Sequence, residues 1–201
     1  MKKYYILIFL FVTGLLISAV KPHDYFTWML EVMPAILGFI LLAFTFKRFR
    51  FSYLTYVMIL IHCYILFVGG HYTYAEVPAF SWLRDVLEQS RNNYDKVGHF
   101  AQGFVPAMIV RELLIRLQVI NKPSWLAFLT VCVCLAISAV YEFLEWFIAI
   151  LSGEAGDSFL GTQGYIWDTQ SDMLYAAIGA ACMVTLFSTL QNKQIKSLET
   201  R

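Results

Sequence analysis

Tyr94-Asp95-Lys96-Val97-Gly98-His99-Phe100-Ala101-Gln102-Gly103-Phe104-Val105-Pro106 starts like a charged helix N-terminus and then turns apolar enough to enter a bilayer. At 3.6 residues per turn Asp95, His99, Gln102 and Pro106 share one face, while Phe100, Phe104 and Val105 point elsewhere. A carboxylate and an imidazole spaced i,i+4 at the mouth of a membrane helix can hydrogen-bond each other, share a proton or hold a cation. They can equally be a satisfied pair at a helix end. What decides is whether other helices bring more acids to the same side of the membrane.

Around this stretch the chain of 201 residues is 59% hydrophobic and 14% charged, with a mean hydropathy of +0.63. Those values describe a polytopic membrane protein whose solvent is the lipid bilayer, not a soluble domain. A net charge of +1 provides no electrostatic footprint for nucleic acid. Cys63, Cys132, Cys134 and Cys182 all fall inside apolar runs and form no CxxC, which argues against disulfides and against a thiolate zinc site.

Apolar runs at 4–20, 26–46, 51–68, 95–116, 123–151 and 167–190 predict an all-α membrane protein, a six-transmembrane helix bundle forming one domain over residues 1–201. The first run follows Lys2 and Lys3 as a signal peptide would. It is long for an h-region, however, and Ile17-Ser18-Ala19-Val20-Lys21 is a poor cleavage site, so it reads as a retained span. Glu31, early in the second run, reads as a solvated helix-end acid. His62, alone in the third, reads as a partner for a neighbouring helix. In the polar connection 69–93, Phe80, Leu83 and Leu87 share a face and Arg84, Asp85 and Glu88 lie mostly away from it, the pattern of a short interfacial helix. With the N-terminus in the cytoplasm, the inside segments hold Lys2, Lys3, Lys47, Arg48, Arg50, Arg111, Arg116, Lys122, Lys193, Lys196 and Arg201. The outside segments hold only Lys21, Arg84, Arg91 and Lys96. The positive-inside rule therefore favours both termini in the cytoplasm.

Under that topology the outer ends of the last three helices meet one face of the membrane. Ser138, Glu142 and Glu145 form one stripe, with Tyr141 beside it, and Glu142 lies on the order of 13 Å below the end of its run at 1.5 Å per residue. Asp168 and Asp172 are again i,i+4, with Gln170 between them and small residues Ala176, Ala177, Gly179 and Ala180 following. Asp168 also suits a helix N-terminus, where the dipole favours negative charge. A charge at bilayer depth costs roughly 2.5–3.5 kcal/mol, so these acids need a cation, a proton or water. Only Lys96 and His99 stand out as nearby bases. The connector Ser152 to Gly164 is glycine-rich but lacks the GK[ST] ending of a phosphate loop.

Tyr94-Asp95-Lys96-Val97-Gly98-His99-Phe100, Ser138-x-x-Tyr141-Glu142-x-x-Glu145-Trp146, and Phe159-Leu160-Gly161-Thr162-Gln163-Gly164 with Trp167-Asp168-Thr169-Gln170-x-Asp172-Met173 resemble the YjdF-type bacterial inner-membrane proteins. The resemblance spans most of the chain, is strongest from Tyr94 to Ala180, and implies a bacterial inner-membrane location. More distantly, the order Asp-Lys-x-x-His, then Glu, then Asp is similar to the VanZ-like family, which is linked to glycopeptide (teicoplanin) resistance. That similarity implies an extracytoplasmic, cell-envelope role carried by Asp95, Lys96, His99, Glu142 or Glu145, and Asp168 or Asp172. The arginine expected between the VanZ-like glutamate and aspartate has no counterpart here.

Three functional classes fit. In the first, an envelope enzyme acts on an amphiphilic or lipid-linked substrate, with His99 as general base or metal ligand and Glu142, Glu145, Asp168 and Asp172 as ligands or acids. Carboxylates with a single histidine suit magnesium or manganese better than zinc, with His99, Glu142, Glu145 and Asp172 the candidate ligands. The second is a proton- or cation-coupled transporter or a binder of lipid head groups. The third is a structural or accessory protein whose polar cluster fixes helix packing. Lys96, Gln102, Ser138, Tyr141 and Gln170 are supporting residues in all three. Nothing in the sequence sets an oligomeric state.

Overall fold

Two helices of this chain begin where a short polar side chain satisfies a first-turn amide. In the computed structural model, which describes residues 2–152 and 166–199, Asp24 precedes helix α2 (Tyr25–Thr45) and its Oδ2 accepts the Thr27 N–H at 2.6 Å. Ser52 does the same for α3 (Tyr53–Tyr72), accepting the Thr55 N–H at 3.3 Å. The Thr27 amide holds the Asp24 carboxyl below its ordinary range. A depressed carboxyl stabilises the fold above its unfolded pKa and ceases to do so as pH falls through the folded value. Asp24→Ala is therefore expected to cost about 1 kcal/mol at neutral pH and progressively less below about pH 4. Melting temperatures of the two proteins in detergent across pH check this, and a difference independent of pH contradicts it.

Helix α1 covers Lys2–Ser18. A 3-10 turn at Tyr74–Glu76 leads into α4 (Pro78–Val86), followed by α5 (Tyr94–Arg116) and α6 (Pro123–Ser152). The last helix, α7, runs Asp168–Cys182, widens into a π segment at Met183–Phe187 and continues as Ser188–Glu199, well past the expected end at 190. The third helix reaches Tyr72 rather than 68, carrying Gly69 and Gly70 inside it.

Helices α2, α3, α6 and α7 are long and apolar enough to cross a membrane. Helix α1 has only 17 residues, and α5 carries Asp95, Lys96, Arg111, Glu112 and Arg116, so neither reaches that standard. The shortfall against six expected spans has a physical reason in α5. It is the central helix, packed against α3, α6 and α7, and its polar groups are covered by protein rather than lipid. The amphipathic stretch after residue 77 does form a helix. Phe80 packs edge-on against Tyr94 with centroids 5.2 Å apart, and Asn92 Nδ2 donates to Val77 O at 3.0 Å, tying α4 to the start of α5.

Where α5 crosses α7 the two backbones nearly touch. A Cβ on Gly103 would lie 1.8 Å from Ala176 O, and one on Gly179 would lie 2.1 Å from Phe100 O. Phe104, Val105, Ala107, Met108, Cys134, Ala180 and Met183 form the apolar layer along this crossing. Beyond it lies a satisfied polar layer. Buried Glu112 accepts Ser52 N–H at 2.7 Å, the Thr55 hydroxyl at 2.8 Å and Arg116 Nη1 at 3.1 Å. Arg111 donates to Gln191 Oε1 at 2.9 Å and to Asn192 Oδ1 at 2.8 Å.

Candidate functional site

At the opposite end of α5 several one-faced stripes converge. Thr27, Glu31 and Pro34 of α2, Asp95, His99, Gln102 and Pro106 of α5, and Tyr141, Glu142 and Glu145 of α6 line a cavity of about 250 Å³. Asp168, Thr169 and Asp172 of α7, His62 and Leu66 of α3, and Tyr74 complete it. Each stripe repeats at three or four residues, which is why one helix face delivers several groups to one space.

The polar groups divide into two parts. Nearer the surface, Lys96 Nζ bridges α5 to α7, donating to Asp172 Oδ1 at 2.5 Å, Ser171 Oγ at 2.6 Å and Asp168 Oδ1 at 2.9 Å. Arg91, from the loop before α5, donates to the same Asp168 oxygen at 2.7 Å. Deeper in the cavity, His99 Nε2 lies 3.1 Å from Asp95 Oδ1 and 3.7 Å from Asp172 Oδ2, and Nδ1–H donates to Gln102 Oε1 at 3.1 Å. Glu142, 7% exposed, has its Oε1 3.9 Å from His99 Nδ1, and that oxygen accepts no hydrogen bond among the described residues. An unpaired carboxylate oxygen with so little exposure is costly unless a ligand, water or proton meets it.

Of the residues singled out in the sequence, Asp95, His99, Glu142, Glu145, Asp168 and Asp172 all line the cavity, as do Gln102 and Tyr141. Lys96 reaches it through its carboxylate partners. Ser138 is fully buried, with its hydroxyl unpartnered among the described residues. Gln170 is exposed, away from the cavity. The glycine-rich connector, from Gly153 onward, lies outside the described residues. Glu31 corrects one expectation: it is 6% exposed and faces the cavity rather than solvent. Its signal was present, because Thr27, Glu31 and Pro34 repeat the spacing of Ser138, Glu142 and Glu145. Arg91 carries no such signal, since a loop residue has no periodicity to betray it.

Six carboxyl groups, those of Glu31, Asp95, Glu142, Glu145, Asp168 and Asp172, thus face the permanent cations Arg91 and Lys96. A cavity with more acids than permanent cations among the described residues suits a cation, a proton or a cationic group of a substrate.

Residues 3–193 match the family model described as "Predicted membrane protein (DUF2238)". The chain is 45% identical over 182 residues to the inner membrane protein YjdF of Escherichia coli (strain K12), covering 90% of this chain and 87% of that one. No solved structure matches.

Proposed function

The chain belongs to the DUF2238 family of membrane proteins, and from that premise we propose that it is a multi-pass inner-membrane enzyme of the cell envelope acting on an amphiphilic or lipid-linked substrate. The observation that carries this reading is Glu142 Oε1, buried with no hydrogen bond among the described residues, beside the Asp95–His99 pair inside a cavity. His99, held by Asp95 on one edge and Gln102 on the other, moves the proton, and Glu142 serves as the second acid or base. Pro34, Leu66, Pro106 and Ile137 in the same walls supply apolar surface for the substrate's tail.

In this reading α1 and α5 are the fifth and sixth spans, both termini are cytoplasmic, α4 rests at the outer interface, and the chain is one membrane domain. Support for α1 comes from its bare apolar flank, with Tyr5, Ile6, Phe9, Leu16 and Ile17 exposed as a lipid-facing side would be. The VanZ-like likeness of Asp95-Lys96-x-x-His99 adds an envelope role to the same reading. A through-going carrier is disfavoured by the apolar layer from Phe104 to Met183, which separates the cavity from Arg111 and Glu112, each hydrogen-bonded to other partners at the far end of α5. A purely structural role is disfavoured by Glu142, since a packing network with an unpaired buried oxygen gains nothing from it.

The test is complementation of a deletion strain, read as its profile of lipid-linked and amphiphilic envelope species. Wild-type protein is expected to remove a species that the deletion accumulates. His99→Ala and Glu142→Gln, at wild-type abundance in the membrane, are expected to leave it in place. Full complementation by both variants overturns the enzyme.

A further inference from the structure

Asp95 and Asp172 each commit one carboxylate oxygen to a permanent cation and turn the other toward the same nitrogen. Asp172 Oδ1 takes Lys96 Nζ at 2.5 Å, leaving Oδ2 3.7 Å from His99 Nε2. Asp95 Oδ2 lies 3.5 Å from Arg91 Nη2, leaving Oδ1 3.1 Å from Nε2. Because Nδ1–H is given to Gln102 Oε1, the lone pair of a neutral imidazole sits on Nε2 and faces both oxygens. Three acceptors aimed at one point repel unless a positive species stands between them. The species is either a proton on Nε2 or a metal ion.

A proton on Nε2 serves Asp95 Oδ1 at 3.1 Å but leaves Asp172 Oδ2, 3.7 Å away, outside hydrogen-bond reach, whereas an ion serves both. One ligand atom from each of Asp95, His99 and Asp172 lies within 4.8 Å of the others. Around an octahedral cation with ligands at about 2.0–2.2 Å, neighbouring ligand atoms stand roughly 2.8–3.1 Å apart. The separation of 3.1 Å fits directly, and the one of 3.7 Å must close by roughly 0.6 Å, which a rotation of the Asp172 carboxylate supplies. Glu142 Oε1, buried and with no hydrogen bond among the described residues, lies 3.9 Å from Nδ1 and so on the far edge of the ring from this point, where it adds negative charge to the cavity rather than a ligand. Gln102, fixing the imidazole through Nδ1, has the place of an outer-shell group that orients a metal-bound histidine.

We propose that Asp95 Oδ1, His99 Nε2 and Asp172 Oδ2 hold one divalent cation of the manganese or magnesium type, with Glu142 adding negative charge from α6. Two carboxylates and one imidazole form a hard, oxygen-dominated set, which favours these ions over thiophilic ones. The inference rests on the cavity reading given above and changes one role in it, since a His99 that ligates an ion through Nε2 leaves proton transfer to Glu142; its readout is bound metal rather than turnover, so either can fail alone.

The experiment equilibrates the detergent-purified full chain with manganese chloride, desalts it, and reads metal content together with pulsed EPR coupling to imidazole nitrogen. Wild type is expected to retain about one ion per chain with coupling to a single histidine. Asp172→Asn should weaken retention by at least about ten-fold, and His99→Ala should lose the nitrogen coupling. Glu76→Gln, an exposed acid outside the cavity, should load as wild type. Wild-type protein that stays free of manganese, that binds it without nitrogen coupling, or that keeps the coupling in His99→Ala overturns the proposal. The wild-type measurement decides even where a variant fails to fold.

Discussion

Gly103→Ala is expected to destabilise the protein by about 3 kcal/mol or more, at or beyond the upper end of ordinary overpacking. The added Cβ would stand 1.8 Å from Ala176 O, 2.6 Å from its carbonyl carbon and 2.8 Å from its Cα. All three are backbone atoms, so no side-chain rotation relieves the clash and α5 and α7 must move apart. Gly179→Ala meets Phe100 O at 2.1 Å from the opposite helix and should behave alike. Gly38 provides the contrast, because a Cβ there meets nothing within 4 Å. Gly38→Ala should be neutral or stabilising by up to about 1 kcal/mol through helix propensity. The comparison is made by melting temperature in one detergent and by abundance in the membrane. If Gly103→Ala melts with Gly38→Ala, the close crossing of α5 and α7 is wrong. Separation of these helices would also pull Asp95 and His99 away from Asp172, so metal retention should fall with stability.

The close crossing was only half legible in the sequence. Ala176, Ala177, Gly179 and Ala180 announced a small-residue face on α7, but Gly103 lies among Gln102 and Phe104 and does not announce which helix it faces. Helix existence came from apolar length, and α5 was visible through the opening stretch despite its charges. Its central place was not, because pairing among helices depends on tertiary contacts that no single run encodes. Within the cavity, the α5, α6 and α7 stripes were readable from i,i+4 spacing. Glu31 departs from the solvated acid that its place near a helix start suggests, because it shares a stripe with Thr27 and Pro34 that faces the cavity. Arg91 was missed because it belongs to no stripe, and its role depends on where the α4–α5 loop folds back.

Lys96→Met is expected to cost about 3–5 kcal/mol, the scale for removing one partner of a buried ion pair. Its ammonium is the group that lets Asp168 and Asp172 approach each other on α7, while Arg91 meets Asp168 and, from Nη2, Asp95. Methionine fills similar volume, so the loss is one of charge rather than packing. Adding Asp172→Asn to Lys96→Met should recover part of the stability, giving a non-additive cycle. Equal cost of Lys96→Met with Asp or Asn at position 172 would detach Lys96 from that carboxylate. The same variant separates a scaffold from a ligand site, because only the ligand site predicts an effect of manganese. Removing the ammonium frees Asp172 Oδ1, so a cation held by Asp95, His99 and Asp172 should bind more tightly even as the metal-free protein melts earlier. Manganese should then raise the melting temperature of Lys96→Met more than that of wild type, by the linkage between binding and folding. A network that serves packing alone has no such ion to strengthen, and for it added manganese leaves Lys96→Met at its lowered melting temperature.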